Sequence, residues 1–302
     1  MTAAVGRGPA GEPVLPVADG LVWSACVRDT SGRVLWQVDP ARVLRTASIG
    51  KIILLLETAR LLDTGELDPA VLLPRGDDPV GDSGIWHTLA TPTLPLGDVA
   101  ALIGAVSDNL ATNVLLRHVG LDAVDRQRVA LGLVDTRLLD EVRDQRLPTH
   151  PPTLSRGRAD ELSDLVCRVA TTAAHGARVR GWLSGNTDLS MVASAFDLDP
   201  LAHRIDDQPP YELWNKTGTS GGVRADIGWV AGVASGGSVG PGAGPRGAEP
   251  SEAGVPPAYG YAVLATWDPD LGDRTATVLA AMREIGVWVR HRIDAGDAGD
   301  AA

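Results

Sequence analysis

Two side chains in this 302-residue sequence invite a chemical reading before any other, Lys51 and Lys216. Of its 27 cationic residues these two alone are lysines, and every other one is arginine. Lysine carries a compact ammonium on a flexible stem whose pKa falls on burial, so it can shed its proton and act as a base, which arginine does not do. A GC-rich genome accounts for the arginine background without saying where the exceptions should fall. Lys51 closes Ser48-Ile49-Gly50-Lys51, and Lys216 opens Lys216-Thr217-Gly218. A serine three residues before a lysine at a helix start puts both side chains on nearly one face. There a neutral lysine can activate the hydroxyl as a nucleophile, and the helix N-terminus favours the negative charge that develops. The plain alternative is a serine cap followed by a first-turn lysine.

Two more segments belong with these. Ser107-Asp108-Asn109 falls at the junction of two helical patterns, where all three residue types also serve as helix caps. Lys216-Thr217-Gly218 follows the strand-like Tyr211–Asn215 and leads through Thr219-Ser220-Gly221-Gly222 into another strand pattern. A strand ending in small residues can hold an extended substrate along its edge, with the lysine supplying a cation near a carboxylate or hydroxyl. Its alternative is a hairpin turn with an exposed lysine. Each motif alone is weak; that both lysines of the chain fall in such motifs, with Ser-Asp-Asn between them, is hard to reach by chance.

In this order and spacing the three motifs resemble the penicillin-recognising serine hydrolases, most closely the class A β-lactamase-like group, over roughly Leu21 to Arg292. The stretch Val106–Asn113 is similar to that family's helix junction, and Gly84-Ile85-Trp86 to the loop facing its active-site entrance. The resemblance implies that Ser48 is the acylated nucleophile and Lys51 its base or proton relay. Ser107 would pass a proton to the leaving nitrogen, and Asn109 would hold the substrate amide and Lys51. Lys216 and Thr217 would bind the substrate carboxylate, with Gly218 and Thr219 on the same edge, and the Ser48 and Thr219 backbone N–H groups would form the oxyanion hole. Arg224 would be an auxiliary carboxylate-binding residue or an ordinary strand arginine. Trp86 would line the substrate entrance or pack in its loop. One departure is clear: the family's Glu-x-x-Leu-Asn is absent. The corresponding loop reads Glu141-Val142-Arg143-Asp144-Gln145, thirty-four residues after Ser107. Glu141 is the expected base for the deacylating water, with a charged loop residue as the alternative.

These residues need a fold that brings them together. Leu21–Asp29 and Arg33–Val38 alternate around Thr30-Ser31-Gly32 as a hairpin, and strand character returns at 211–216, 223–234 and 258–267. Between them lie helical patterns at 48–62, 96–106, 109–119, 121–131 and 155–174, the last with Ser155 near its cap, and a closing helix spans 274–292. The 48–62 segment is apolar all round and predicts a buried helix. The expected fold is α/β (α+β), a β-lactamase/transpeptidase-like five-stranded antiparallel sheet flanked by helices with an inserted all-helical lobe. The sheet lobe takes residues 21–47 and 205–293, and the helical lobe 48–204. Residues 1–20 read as a flexible segment, 137–154 as an irregular loop, the Gly/Pro-rich 235–257 as a mobile hairpin loop, and 294–302 as a disordered tail.

The net charge of −11 argues against a nucleic-acid or anionic membrane surface. A small-molecule or peptide-like substrate with a carboxylate, a monomer and no cofactor are the expectations. The six histidines show no metal-ligand spacing, so no metal is expected. Cys26 and Cys167 read as buried free thiols. With no signal peptide visible the chain reads as cytoplasmic, or secreted if it is a trimmed form. Three functions fit this sequence: a class A-like β-lactamase; a related esterase, amidase or D,D-peptidase with weak deacylation; and a non-catalytic binding protein, against which the intact Ser48, Lys51 and Lys216 argue.

Overall fold

The computed structural model describes residues 11–76, 80–81, 83–172, 175–203, 210–233 and 256–296. Five strands form its central sheet: β1 (Val22–Asp29), β2 (Val34–Val38), β3 (Tyr211–Ser220), β4 (Val223–Gly232) and β5 (Ala258–Thr266). Their spatial order is β2-β1-β5-β4-β3, and every neighbouring pair is antiparallel. Pairing of β1 with β5, in the register Cys26 opposite Ala262, joins the N-terminal hairpin to the C-terminal strands. The middle strand β5 is apolar almost throughout because both of its faces are covered. Tyr259, Tyr261, Val263 and Ala265 pack on one side, and Ala262 and Leu264 on the other.

Among the described residues, seven helices flank the sheet: α1 (Lys51–Asp63), α2 (Leu96–Val106), α3 (Asn109–Val119), α4 (Leu121–Ala130), α5 (Ala159–Thr171), α6 (His175–Leu183) and α7 (Thr275–Asp294). Helix α7 covers one face through Val278, Ala281, Met282, Ile285, Val289 and Ile293, the three-and-four spacing of a single buried stripe. Helix α5 lies on the opposite face against β1 and β5. Helix α1 runs beside α3, α4 and α6 with every residue from Lys51 to Ala59 buried, as its all-round apolar sequence requires. Burial on every side makes α1 a rigid base for whatever is attached to its first turn.

Several expectations change. The 155–174 segment is not one helix: Ser155–Gly157 is a short strand between Leu44–Arg45 and Arg137–Leu138, and α5 begins at Ala159. Ser155 is fully buried, and its hydroxyl is engaged with Thr46 and Ala47 instead of capping a helix. Helix α6 was not anticipated. Within the segment expected to be flexible, Leu15 is buried and the Trp23 indole N–H donates to the Pro16 carbonyl at 3.0 Å. Residues 1–10, most of the 235–257 loop and residues 297–302 of the expected tail lie outside the described residues. Helix α7 reaches Asp294, whose carboxylate accepts the Tyr211 hydroxyl at 2.6 Å. Cys26 and Cys167 are buried free thiols, and burial pushes the Cys167 thiol up to about 12.

Candidate active site

The turn bearing Ser48 is held in a conformation that the chain alone would avoid. Ala47 has φ 47°, left-handed backbone that costs a β-carbon-bearing residue about 1–3 kcal/mol. Ser155 over-determines it: its hydroxyl donates to the Ala47 carbonyl at 2.5 Å and lies 2.7 Å from the Thr46 hydroxyl, while its carbonyl accepts the Thr46 N–H at 3.2 Å. The tight turn Ala47–Gly50 then runs directly into α1, so Lys51 begins that rigid helix. Ser48 itself is half-buried at the mouth of two adjoining cavities.

Ser107-Asp108-Asn109 divides punctuation from chemistry. Ser107 ends α2 in the left-handed region at φ 56°, which turns the chain sharply. Asp108 then caps α3, accepting the Ala111 N–H at 2.8 Å with one oxygen and the Ile85 and Trp86 N–H groups at 2.8 and 2.9 Å with the other. Gly84 permits this approach: at φ +128° its missing β-carbon would lie 2.4 Å from the Asp108 carboxyl carbon. With the cap supplied by Asp108, its two neighbours are free to meet the lysines. Lys51 Nζ donates to the Ser107 carbonyl at 2.7 Å and to Asn109 Oδ1 at 2.8 Å, and lies 3.3 Å from Ser107 Oγ. Asn109 Nδ2 donates in turn to the Gly81 carbonyl at 3.0 Å, which fixes the amide orientation.

Lys216 reaches the same hydroxyl from the sheet. Its Nζ donates to Ser107 Oγ at 2.9 Å and to the Thr217 carbonyl at 2.8 Å. Strand β3 lies at the sheet edge beside the Ser48 turn. Gly218 allows that proximity, since a β-carbon there would fall 2.2 Å from the Thr46 carbonyl oxygen. Two lysines far apart in sequence thus converge on one serine hydroxyl.

Burial sets their protonation. Lys51 is fully buried, and desolvation with the nearby Lys216 charge holds its pKa well below the usual ammonium range. Lys216, equally buried, is brought down to about 8, with Asp188 and Asp226 resisting the fall. Behind it Asp226 is buried in β4, and desolvation raises its carboxyl to about 7. It accepts from the Asn215 amide at 3.1 Å and the Val192 N–H at 3.0 Å. Asn215 also accepts a 2.8 Å hydrogen bond from Asn186. This network was missed, although an aspartate inside the apolar run Ala225-Asp226-Ile227 was a visible anomaly.

The inner cavity, about 100 Å³, is lined by Ser48, Ser107, Thr217, Thr219, Asn186 and Asp188 among others. An outer cavity of about 390 Å³ adds Asn109, Val142, Asp144, Arg45, Arg143 and Arg146. Ser48, Lys51, Ser107, Asn109, Lys216, Thr217, Gly218 and Thr219 are therefore brought together. Three expected residues are not. Glu141 is absent from both cavity walls: Arg117 on α3 donates to its carboxylate twice, at 3.0 and 2.6 Å. Val142 occupies the wall instead, its backbone clamped by the Asn113 amide, which accepts its N–H at 2.8 Å and donates to its carbonyl at 3.0 Å. Trp86 is fully buried in the core beneath its loop, because its backbone N–H is drawn in by Asp108. Arg224 lies opposite Thr219 in the hairpin, but its guanidinium donates to the Ser220 and Val223 carbonyls and sits over Trp267. Among the described residues, no group of three His, Cys, Asp or Glu side chains could hold a metal ion. No helix among them is long and apolar enough to cross a membrane.

The family profile described as the Beta-lactamase enzyme family matches residues 16–238. Among solved structures, the chain resembles a β-lactamase from Sphaerobacter thermophilus, at 22% identity and a TM-score of 0.70, over 94% of each chain. It also resembles PBP-A, at 18% identity and a TM-score of 0.68, over 92% of each chain. An ancestral class A β-lactamase matches at 18% identity and a TM-score of 0.67, over 90% of this chain and 94% of that one. No curated protein matches it.

Proposed function

Because the chain belongs to the Beta-lactamase enzyme family, we propose that it is a serine hydrolase whose Ser48 is acylated by β-lactams. Hydrolysis of the resulting ester would be its slow step. The observation that carries this reading is the convergence of Lys51 and Lys216 on Ser107 beside Ser48. Neutral Lys51 accepts the Ser48 hydroxyl proton as Oγ bonds to the lactam carbonyl carbon. The carbonyl oxygen takes up negative charge between the backbone N–H groups of Ser48 and Thr219. On collapse the C–N bond breaks, and the proton held by Lys51 passes through the Ser107 hydroxyl to the departing nitrogen. Lys216 in its ammonium form donates to Ser107 Oγ and orients that hydroxyl for the relay. Water then releases the acid and regenerates Ser48.

A second reading, an esterase, amidase or D,D-peptidase with weak deacylation, is favoured by one feature. Glu141 is paired with Arg117 and lies outside the cavity wall, so among the described residues no glutamate lines the cavity where a deacylating water would need its base. Incubation with a chromogenic cephalosporin, following turnover and intact mass together, reads acylation and deacylation separately, and faster turnover of a simple ester or of a peptide ending in D-alanyl-D-alanine than of the cephalosporin would favour the second reading. We expect an adduct that is lost in Ser48→Ala, with turnover limited by its decay. Rapid turnover with no accumulating adduct would favour an efficient β-lactamase. If no adduct forms and no ester is cleaved, acylation of Ser48 is refuted.

A further inference from the structure

The carboxylate expected beside Lys216 meets the wrong charge at the cavity surface. Of the described residues lining the inner cavity, Asp188 alone carries a formal charge. Lys216 is fully buried beneath that surface, with its ammonium committed to Ser107 Oγ and the Thr217 carbonyl. Arg224 is committed to backbone carbonyls and to Trp267, outside the cavity wall. The inner end of the cleft therefore presents an anion.

Asp188 is also held in place. Its Oδ1 accepts from the Ser190 hydroxyl at 2.6 Å and the Ser190 N–H at 3.2 Å. Its carbonyl accepts from the amides of Asn186 and Asn215 at 3.3 and 3.2 Å, and both asparagines are buried. The buried amides hold the backbone that carries Asp188, and Ser190 orients its carboxylate.

We propose that Asp188 is a specificity residue, making the inner cavity select an acyl donor whose group beside the scissile bond is uncharged or cationic and disfavour a free carboxylate there. This rests on acylation of Ser48. The substrate class it points to is amides, esters or amidated peptides that offer N–H donors or an ammonium at that end. Asp188 also helps Lys216 keep its proton, so part of the field a substrate carboxylate would seek is already neutralised by the protein. Two carboxylates about 6–8 Å apart, at an effective dielectric between about 20 and 60, repel enough to change an acylation rate by roughly threefold to a hundredfold.

The test compares penicillin as its free acid with penicillin methyl ester, which differ in that charge, and follows the Ser48 adduct by intact mass over time. In the wild-type protein the ester should acylate faster than the acid. In Asp188→Asn, which keeps the Oδ1 acceptor for Ser190, the acid-to-ester rate ratio should rise about tenfold. A wild-type preference for the acid, or a ratio that moves by less than threefold, overturns the role of Asp188 while leaving acylation of Ser48 standing. Absence of an adduct with either compound on wild-type protein refutes the acylation itself, and this inference with it.

Discussion

Glu141→Gln is expected to leave decay of the Ser48 ester within about twofold of wild type. A positioned general base contributes about 10²- to 10⁴-fold, so loss of a true deacylation base would be unmistakable. Glu141 instead forms a two-pronged ion pair with Arg117, the side chains 28% and 48% exposed, and such a pair is worth about 0.2–1 kcal/mol of stability. The amide of glutamine retains one acceptor, so the stability loss should sit at the lower end of that range. The complementary change is Val142→Glu. Val142 lines the outer cavity with Ser48 and Asn109, and its backbone is fixed from both sides by Asn113, so a carboxylate there would face the acyl group from a rigid support. It should speed deacylation by about 10²-fold, at the low end of what a general base supplies. The assay is a short pulse with penicillin, removal of excess, and intact-mass decay of the adduct, with turnover of a chromogenic cephalosporin alongside. A 100-fold slower decay in Glu141→Gln would refute the reasoning, because it would require the carboxylate to leave Arg117 and enter the cleft.

Three further outcomes follow from the site. Acylation should have a bell-shaped pH dependence. On the acid side it falls as Lys51 is protonated, at a pH well below the usual ammonium range, and on the alkaline side it falls around pH 8 as Lys216 loses its proton, both readable from initial adduct formation. Lys51→Arg should lower the acylation rate by about 10²- to 10⁴-fold, since a guanidinium cannot accept the serine proton, and Ser48 labelling with a fluorescent penicillin checks this. Gly218→Ala drives a β-carbon to within 2.2 Å of the Thr46 carbonyl, so β3 must move off the Ser48 turn. The strain should cost about 1–3 kcal/mol in a denaturant melt and cut acylation at least tenfold.

Much of the site was legible because its residues carry local signals. Two lysines in an arginine background mark a need for an adjustable pKa, and the structure supplies the burial that adjusts it. Strand alternation and helix periodicity located β1, β2, β4, β5 and most helices to within a few residues. Reading failed where a residue's role depends on partners distant in sequence. Ser155 looks like a helix cap until Thr46 and Ala47 pack against it. Glu141 looks like a base until Arg117, one turn of α3 beyond Asn113, takes its carboxylate. Trp86 looks like a pocket wall until Asp108 draws its backbone inward.

By itself, the sequence determined which groups could react and which elements carry them, because residue type, spacing and hydrophobic period are local properties. Only the tertiary structure decided which charges face the substrate. It buried Lys216 beneath the cavity, left Asp188 at the surface and turned Glu141 away. The physical reason is that an ionisable group's pKa and accessibility depend on desolvation and on its neighbours in space, and no stretch of sequence contains those neighbours.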